Sequence, residues 1–203
     1  MVHVVVQSIS TGIEAELMRV RPDECVLLVI DVQDRLIDAI HEHQTVVENI
    51  KALIKTAQIL HLQVLATEQE KLGAIVPELQ VLLSNSLKFQ KVNFSSCADP
   101  AFMRELSQIR KRTVIVCGIE THICVLQSVL DLLTHRYDVL LVRDATSSHA
   151  LIDRETSMER MRDAGAMVAT TEAVIYELTE KAGTEEFRSI LELVKERRSL
   201  LSA

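Results

Sequence analysis

Three positions in this 203-residue chain set a reactive or charged side chain at or beside the end of a short apolar run. Asp31 follows Cys25-Val26-Leu27-Leu28-Val29-Ile30, Lys91 lies in the stretch from Leu87 to Phe94, and Cys124 sits in the turn Gly118-Ile119-Glu120-Thr121-His122-Ile123-Cys124. A carboxylate, an ammonium and a thiol are the parts of an activated nucleophile, in which the carboxylate takes the thiol proton and the cation favours the thiolate. An ordinary thiol, with pKa near ~8.5, is only about 3% ionised at pH 7 and needs such help. If Thr121 caps the helix that follows, Cys124 falls in its first turn, where free N–H groups and the positive dipole end add to the effect of the lysine. Each residue also has an ordinary account. A cysteine in an apolar segment is a small core side chain, an aspartate closing a strand caps the next helix, and a lysine there is a solvated loop charge. Their common position at strand ends makes them one candidate site.

The elements that must bring these positions together alternate along the chain. Cys25 to Ile30 has the continuous apolar pattern of a strand covered on both faces. Val46, Val47, Ile50, Leu53, Ile54, Ala57 and Leu60 recur at helical spacing, with Thr45 and Glu48 as a capping-box pair. Leu62 to Thr67 and Leu87 to Phe94 read as strands, joined through Gly73, Pro77 and a segment from Leu79 to Leu83. Pro100 to Ile109 predicts a helix, Thr113 to Gly118 a strand, and the run from Thr121 a helix apolar on too many sides for a free surface. Asp138 to Val142, Arg154 to Ala164, Ala166 to Ala169 and Glu185 to Leu200 continue as strand, helix, strand and helix. Helices between strands force right-handed crossovers, hence a mostly parallel sheet in a three-layer α/β domain. In such sheets ligands bind beyond the strand carboxyl ends, where all three candidate residues fall.

Composition narrows the function classes. Lys and Arg number 22 against 29 Asp and Glu, a net charge of −7, and no basic tract offers a phosphate-binding surface. With no Trp, two Tyr and four Phe, stacking platforms for single strands are scarce as well, so no nucleic-acid partner is expected. No apolar run reaches the length of a membrane span, and no membrane partner is expected. Cys25, Cys97, Cys117 and Cys124 contain no C-x-x-C pair and no export signal precedes them, which points to reduced thiols and a cytoplasmic setting. Residues 1–20 read as an extension, whose Val2, Val4 and Val6 alternate like an added edge strand, and 21–203 as one domain.

Asp31-Val32-Gln33, Lys91-Val92-Asn93-Phe94-Ser95 and Gly118 to Val125 resemble, in that order, the three motifs of the isochorismatase-like cysteine hydrolase superfamily. Asp144 to Ser148, Asp153-Arg154 and Glu159 to Ala166 are similar to its branch of isochorismatase domain-containing proteins, and the resemblance runs from about residue 21 to about residue 181. It implies an α/β/α fold with a six-stranded, mostly parallel sheet and a triad carried by Asp31, Lys91 and Cys124. It also implies acyl transfer: Cys124 attacks a carbonyl carbon, Asp31 passes the thiol proton to the leaving group, and water hydrolyses the thioester. A cis peptide between Ile119 and Glu120 is implied too, aiming the backbone N–H groups of Glu120 and Cys124 at an oxyanion. Gln33, Phe94, Ile119 and His122 are the candidate pocket residues, with core packing or capping as the other account of Gln33 and Phe94. Relatives usually associate, so a homo-oligomer is expected.

Departures from the family pattern set the limits. Relatives that hydrolyse nicotinamide carry an Asp/His metal cluster after the second strand, whereas Thr67 to Gly73 here contains no histidine. No metal, no cofactor and no nicotinamidase activity are expected. Glu120 stands where relatives often have a small residue, which narrows the pocket or adds a charge. Cys117, His122 and Cys124 lack a fourth ligand at zinc spacing, Leu130 stands where a cysteine phosphatase needs arginine, and the glycine motifs of serine hydrolases, dinucleotide sites and P-loops are missing. Lys88 competes with Lys91, and the Lys-x-x-Phe-Ser spacing favours Lys91. The expected function is cysteine-dependent hydrolysis of a small amide-like or ester-like metabolite. The alternatives are a non-catalytic binding or regulatory oligomer and a vinyl ether hydrolase.

Overall fold

The computed structural model describes residues 19–202; the alternating valines at the start of the chain lie outside them. Six strands form one sheet in the order β3-β2-β1-β4-β5-β6, every neighbouring pair parallel. They are β1 Cys25–Ile30, β2 Gln63–Gln69, β3 Leu87–Lys91, β4 Thr113–Ile119, β5 Asp138–Ser147 and β6 Met167–Ala169. The helices are α1 Asp34–Ile37, α2 His43–Ile59, α3 Pro77–Leu82, α4 Pro100–Ile109, α5 Leu126–Thr134, α6 Leu151–Asp163, α7 Thr171–Thr179 and α8 Glu185–Leu201. The two central strands, β1 and β4, are buried at every residue, as their unbroken apolar runs require when helices cover both faces.

Alternation along the strands sorts the core into two layers. Leu27, Val29, Ile115 and Cys117 pack with Ile50, Ile54, Val174 and Ile190 from α2, α7 and α8. Val26, Leu28, Ile30, Val114 and Val116 pack with Phe102, Leu106, Val129 and Met158 from α4, α5 and α6. Asp99 caps α4, accepting from the N–H groups of Ala101 at 2.7 Å and Phe102 at 3.3 Å, and Pro100 opens the helix where its missing N–H costs nothing. Phe102 then meets Phe89 edge to face, ring centres 5.5 Å apart, which ties α4 to β3.

Four local features differ from the expectations. Helix α2 begins at His43, after Glu42 takes a left-handed φ of 53°, so Thr45 and Glu48 lie inside the helix and form no capping box. Strand β5 runs on to Ser147, with a register shift between Val116 and Gly118 in its pairing with β4. Helix α6 starts at Leu151 rather than Arg154. Helix α7 was not legible as a helix, because its short Thr-Glu-Ala-Val-Ile-Tyr-Glu-Leu-Thr run is mixed in pattern; it is held by burial of Val174, Ile175 and Leu178.

Candidate active site

Because the strands are parallel, their carboxyl ends share one edge of the sheet, and four adjacent strands deliver the site there in spatial order. Strand β3 ends in Lys91, β2 brings Thr67 and Gln69, Asp31 follows β1, and Cys124 follows β4. Asp31 turns off its strand with a φ of 52°, and its N–H donates to the Thr67 carbonyl at 3.1 Å. Gly118, at a φ of 122°, lets β4 lie against β1 so closely that a Cβ there would fall 2.1 Å from the Ile30 carbonyl oxygen. Only glycine permits that approach, which brings the Cys124 turn toward Asp31.

Lys91 Nζ lies 2.6 Å from Asp31 Oδ2, with both side chains almost wholly shielded from solvent. The ammonium is also within hydrogen-bond distance of Gln69 Oε1 at 2.8 Å, the Phe94 carbonyl at 3.0 Å and the Asn93 carbonyl at 3.3 Å. Four acceptors therefore share the three hydrogens of the ammonium, and the Asp31 carboxylate is the nearest of them. The other oxygen, Oδ1, accepts from Thr67 Oγ1 at 2.7 Å. Beside this pair stands the Cys124 thiol, 6% exposed, with its sulfur 4.0 Å from Gln69 Oε1.

The electrostatics of the thiol differ from a simple thiolate site. Burial pushes the Cys124 thiol up to about 12, the Asp31 carboxylate pushes in the same direction, and Lys91 only partly opposes them. The raised value makes the resting form a neutral thiol beside Asp31. That arrangement suits proton transfer to Asp31 during attack rather than a standing thiolate. Cys25 and Cys97 are likewise pushed up, to about 11 and about 12, chiefly by burial, and Cys117 is raised by burial alone.

The turn that carries Cys124 is not a capped α-helix. The Ile119–Glu120 peptide is cis, and Thr121–Val125 forms a π turn in which the N–H groups of Ile123 and Val125 both donate to the Glu120 carbonyl, at 3.1 and 3.2 Å. Thr121 does not serve as its cap, since its hydroxyl pairs at 2.9 Å with that of Thr146 on β5. The Glu120 carboxylate accepts from the His149 N–H at 2.9 Å and so braces the turn against the loop after β5. His122, half-buried, pairs through Nδ1 with Ser148 Oγ at 2.9 Å, with carboxylate oxygens of Glu120 and Asp153 each 4.0 Å away.

Of the other sequence-derived candidates, Lys88 is exposed on β3, and Lys91 is the lysine beside Asp31. Gln33 is fully buried and its amide is committed to the chain itself: Nε2 donates to the carbonyls of Gln69 and Gly73, and Oε1 accepts from the Gln69 N–H. These bonds brace the end of β2. Ile119 is also fully buried, in the core layer of α2, on the opposite side of the sheet from the layer containing Cys124. Phe94 leaves half of its surface exposed and gives the site its carbonyl. Thr67 and Gln69 went unrecognised in the sequence, although two polar residues spaced i and i+2 at the end of an apolar strand carry the same signal that marks Asp31. Among the described residues no three His, Cys, Asp or Glu side chains are grouped to hold a metal ion.

Comparison with known proteins identifies the family. Residues 25–173 match the family model of the isochorismatase domain. The chain is 37% identical over 185 residues to the secreted isochorismatase effector Isc1 of Phytophthora sojae, covering 88% of both proteins. It is 35% identical over 185 residues to isochorismatase domain-containing protein 2A of Mus musculus, covering 90% of this chain and 88% of that one. Among solved structures, the MAR1 ribonuclease from Caenorhabditis elegans superposes with a TM-score of 0.83 at 34% identity, over 87% of this chain and 92% of that one. With the domain matched from β1 into α7 on a parallel sheet of the same architecture, the chain belongs to the isochorismatase family and has its hydrolase fold.

Proposed function

We propose that the protein is a cysteine-dependent hydrolase that cleaves an amide or ester bond of a small metabolite through a thioester on Cys124. The observation that carries this reading is the shielded Lys91–Asp31 pair at 2.6 Å beside a buried thiol. Cys124 attacks the carbonyl carbon while its proton moves to Asp31, and the backbone N–H groups of Glu120 and Cys124 receive the developing oxyanion. Asp31 returns the proton to the leaving nitrogen or oxygen as that bond breaks. Water then attacks the thioester, gives a proton to Asp31, and the sulfur leaves and regains it. Lys91 holds Asp31 in place between steps through the 2.6 Å contact.

The name of the nematode relative brings RNA into the test. The net charge of −7 and the carboxylates of Glu120 and Asp153 around His122 favour a small substrate over a polyanion. The assay is turnover of a panel of small amides, ureides and short esters, with an RNA oligonucleotide alongside and intact-mass detection of an acyl adduct. Wild type is expected to turn over at least one small carbonyl compound, and Cys124→Ala and Asp31→Asn to lose about 100-fold or more. Turnover surviving Cys124→Ala but not Asp31→Ala would indicate ether hydrolysis instead. A ligand-binding protein whose function tolerates both changes would make the fold a binding module. Self-association belongs to the same reading, supported by exposed Val92, Phe94, Leu151 and Ile152, and light scattering after size exclusion tests it, a monomer removing it. Among the described residues no helix is long and apolar enough to cross a membrane.

A further inference from the structure

Gln69 ends β2 and is held at every polar group it has. Its N–H donates to Gln33 Oε1 at 2.8 Å and its carbonyl accepts from Gln33 Nε2 at 3.0 Å. Its side-chain Nε2 donates to the Val92 carbonyl at 2.7 Å, which settles the amide orientation and turns Oε1 toward the site. There Oε1 accepts from Lys91 Nζ at 2.8 Å and stands 4.0 Å from the Cys124 sulfur, placed to accept its S–H. Gln69 also borders an open cleft of about 280 Å³ with Glu68, Glu70, Lys71, Gly73 and Gln90.

An amide oxygen has two lone pairs, and Lys91 uses one of them. The other faces the nucleophile. Once the thiol proton has moved to Asp31, that second lone pair has lost its donor and lies beside a developing sulfur–carbon bond. Lys91 cannot replace the donor, because its three hydrogens are already shared among Asp31, Gln69, Asn93 and Phe94. A leaving nitrogen that carries hydrogen supplies the missing donor at the right moment, whereas an ester oxygen sets its own lone pairs against Oε1. Sites built around such a fixed acceptor discriminate against analogues lacking the donor.

We propose that Gln69 is the specificity-determining residue for the leaving group, selecting carbonyl compounds whose leaving atom is an N–H nitrogen, primary amides and ureides, over esters. This rests on the reading of Cys124 as the nucleophile. In the step it serves, the S–C bond forms as the C–N bond breaks. The nitrogen donates one hydrogen bond to Gln69 Oε1 and takes the Asp31 proton on its lone pair, leaving as the neutral amine.

The test needs no natural substrate. The full chain is treated with 4-nitroacetanilide, N-methyl-4-nitroacetanilide or 4-nitrophenyl acetate, and chromophore release is followed and divided by the rate of hydroxide-catalysed hydrolysis. Wild type is expected to favour the anilide that carries N–H about tenfold over both reagents without it. Gln69→Met, similar in shape, is expected to abolish the preference, and Gln69→Glu, which keeps an acceptor, to retain it. Equal normalised rates in wild type, or a preference that persists in Gln69→Met, overturn the role of Gln69 while leaving Cys124 as nucleophile. Release that is unchanged in Cys124→Ala, or absent with all three reagents, overturns both readings.

Discussion

A thiol held neutral beside a carboxylate behaves differently from one held as a thiolate, and the difference is measurable at Cys124. Burial first and Asp31 second push it up to about 12, so below that pH the protonated form dominates. Labelling by iodoacetamide should therefore climb about tenfold per pH unit through pH 9 with no plateau. Removing the cation in Lys91→Ala raises the thiol further and slows labelling at any given pH. Removing the anion in Asp31→Asn lowers it and speeds labelling even as turnover collapses. A plateau below pH 8 in wild type, read by site-resolved mass spectrometry, would contradict the neutral-thiol site. Thr67→Val addresses the carboxylate: it deletes the 2.7 Å hydrogen bond to Oδ1, a charge-assisted bond worth about 1.5–3 kcal/mol, and should lower kcat roughly tenfold or more with KM little changed. An unchanged kcat would show that Lys91 alone orients Asp31.

The positioning of these groups is done by strand ends and the turns leaving them. Strands β1 and β4 approach each other through Gly118, where an added Cβ would meet the Ile30 backbone at 2.1 Å in a conformation that side chains rarely adopt. Gly118→Ala should cost on the order of 3 kcal/mol or more in urea unfolding, through strain and separation of the two strands. A loss under about 1 kcal/mol would mean that the strands separate cheaply there. The loop after β3 is fastened to α5 as well: Ser95 Oγ donates to Asp131 Oδ2 at 2.6 Å, and the Ser96 N–H donates to Ser128 Oγ at 2.9 Å. Those bonds connect the carbonyls that hold Lys91 to the helix that continues from the Cys124 turn.

At the scale of the whole molecule, the C-terminal helix is locked to the sheet by one buried arginine. Arg197 donates to Asn49 Oδ1 on α2 at 2.6 Å and to Asp144 Oδ2 on β5 at 3.1 Å, with Glu172 on α7 at 3.4 Å. Asp144 Oδ1 in turn accepts from the N–H and hydroxyl of Thr171 at 2.6 and 2.8 Å, and Asn49 Nδ2 donates to the Asp144 carbonyl. Arg197→Met leaves the buried Asn49 amide and the part-buried Asp144 carboxylate without their partner, so it should destabilise the fold by about 1–3 kcal/mol, seen as a lower urea midpoint with the slope unchanged. A midpoint within error of wild type would make the cluster ornamental to stability. It lies on the α2 side of the sheet, away from the layer that holds Cys124, so labelling of Cys124 in the folded variant should match wild type.

Much of this was legible in the residues themselves. Unbroken apolar runs marked β1 and β4, the Pro100 to Ile109 pattern marked α4, and the polar residues at or after strand ends marked Asp31, Lys91 and Cys124, because burial and strand polarity are written into local pattern. What pattern cannot carry is which partner a polar group finds across the sheet. Thr121 reads locally as a helix cap and is instead taken by Thr146; Gln33 reads as a pocket residue and is taken by the backbone of β2. Gln69 reads as an unremarkable polar residue and stands between the lysine and the thiol. Even the sign of the thiol's shift was decided this way. A nearby lysine and a helix start argue for a lowered value, but the depth of burial and the proximity of Asp31 exist only once distant strands have packed, and they outweigh the lysine.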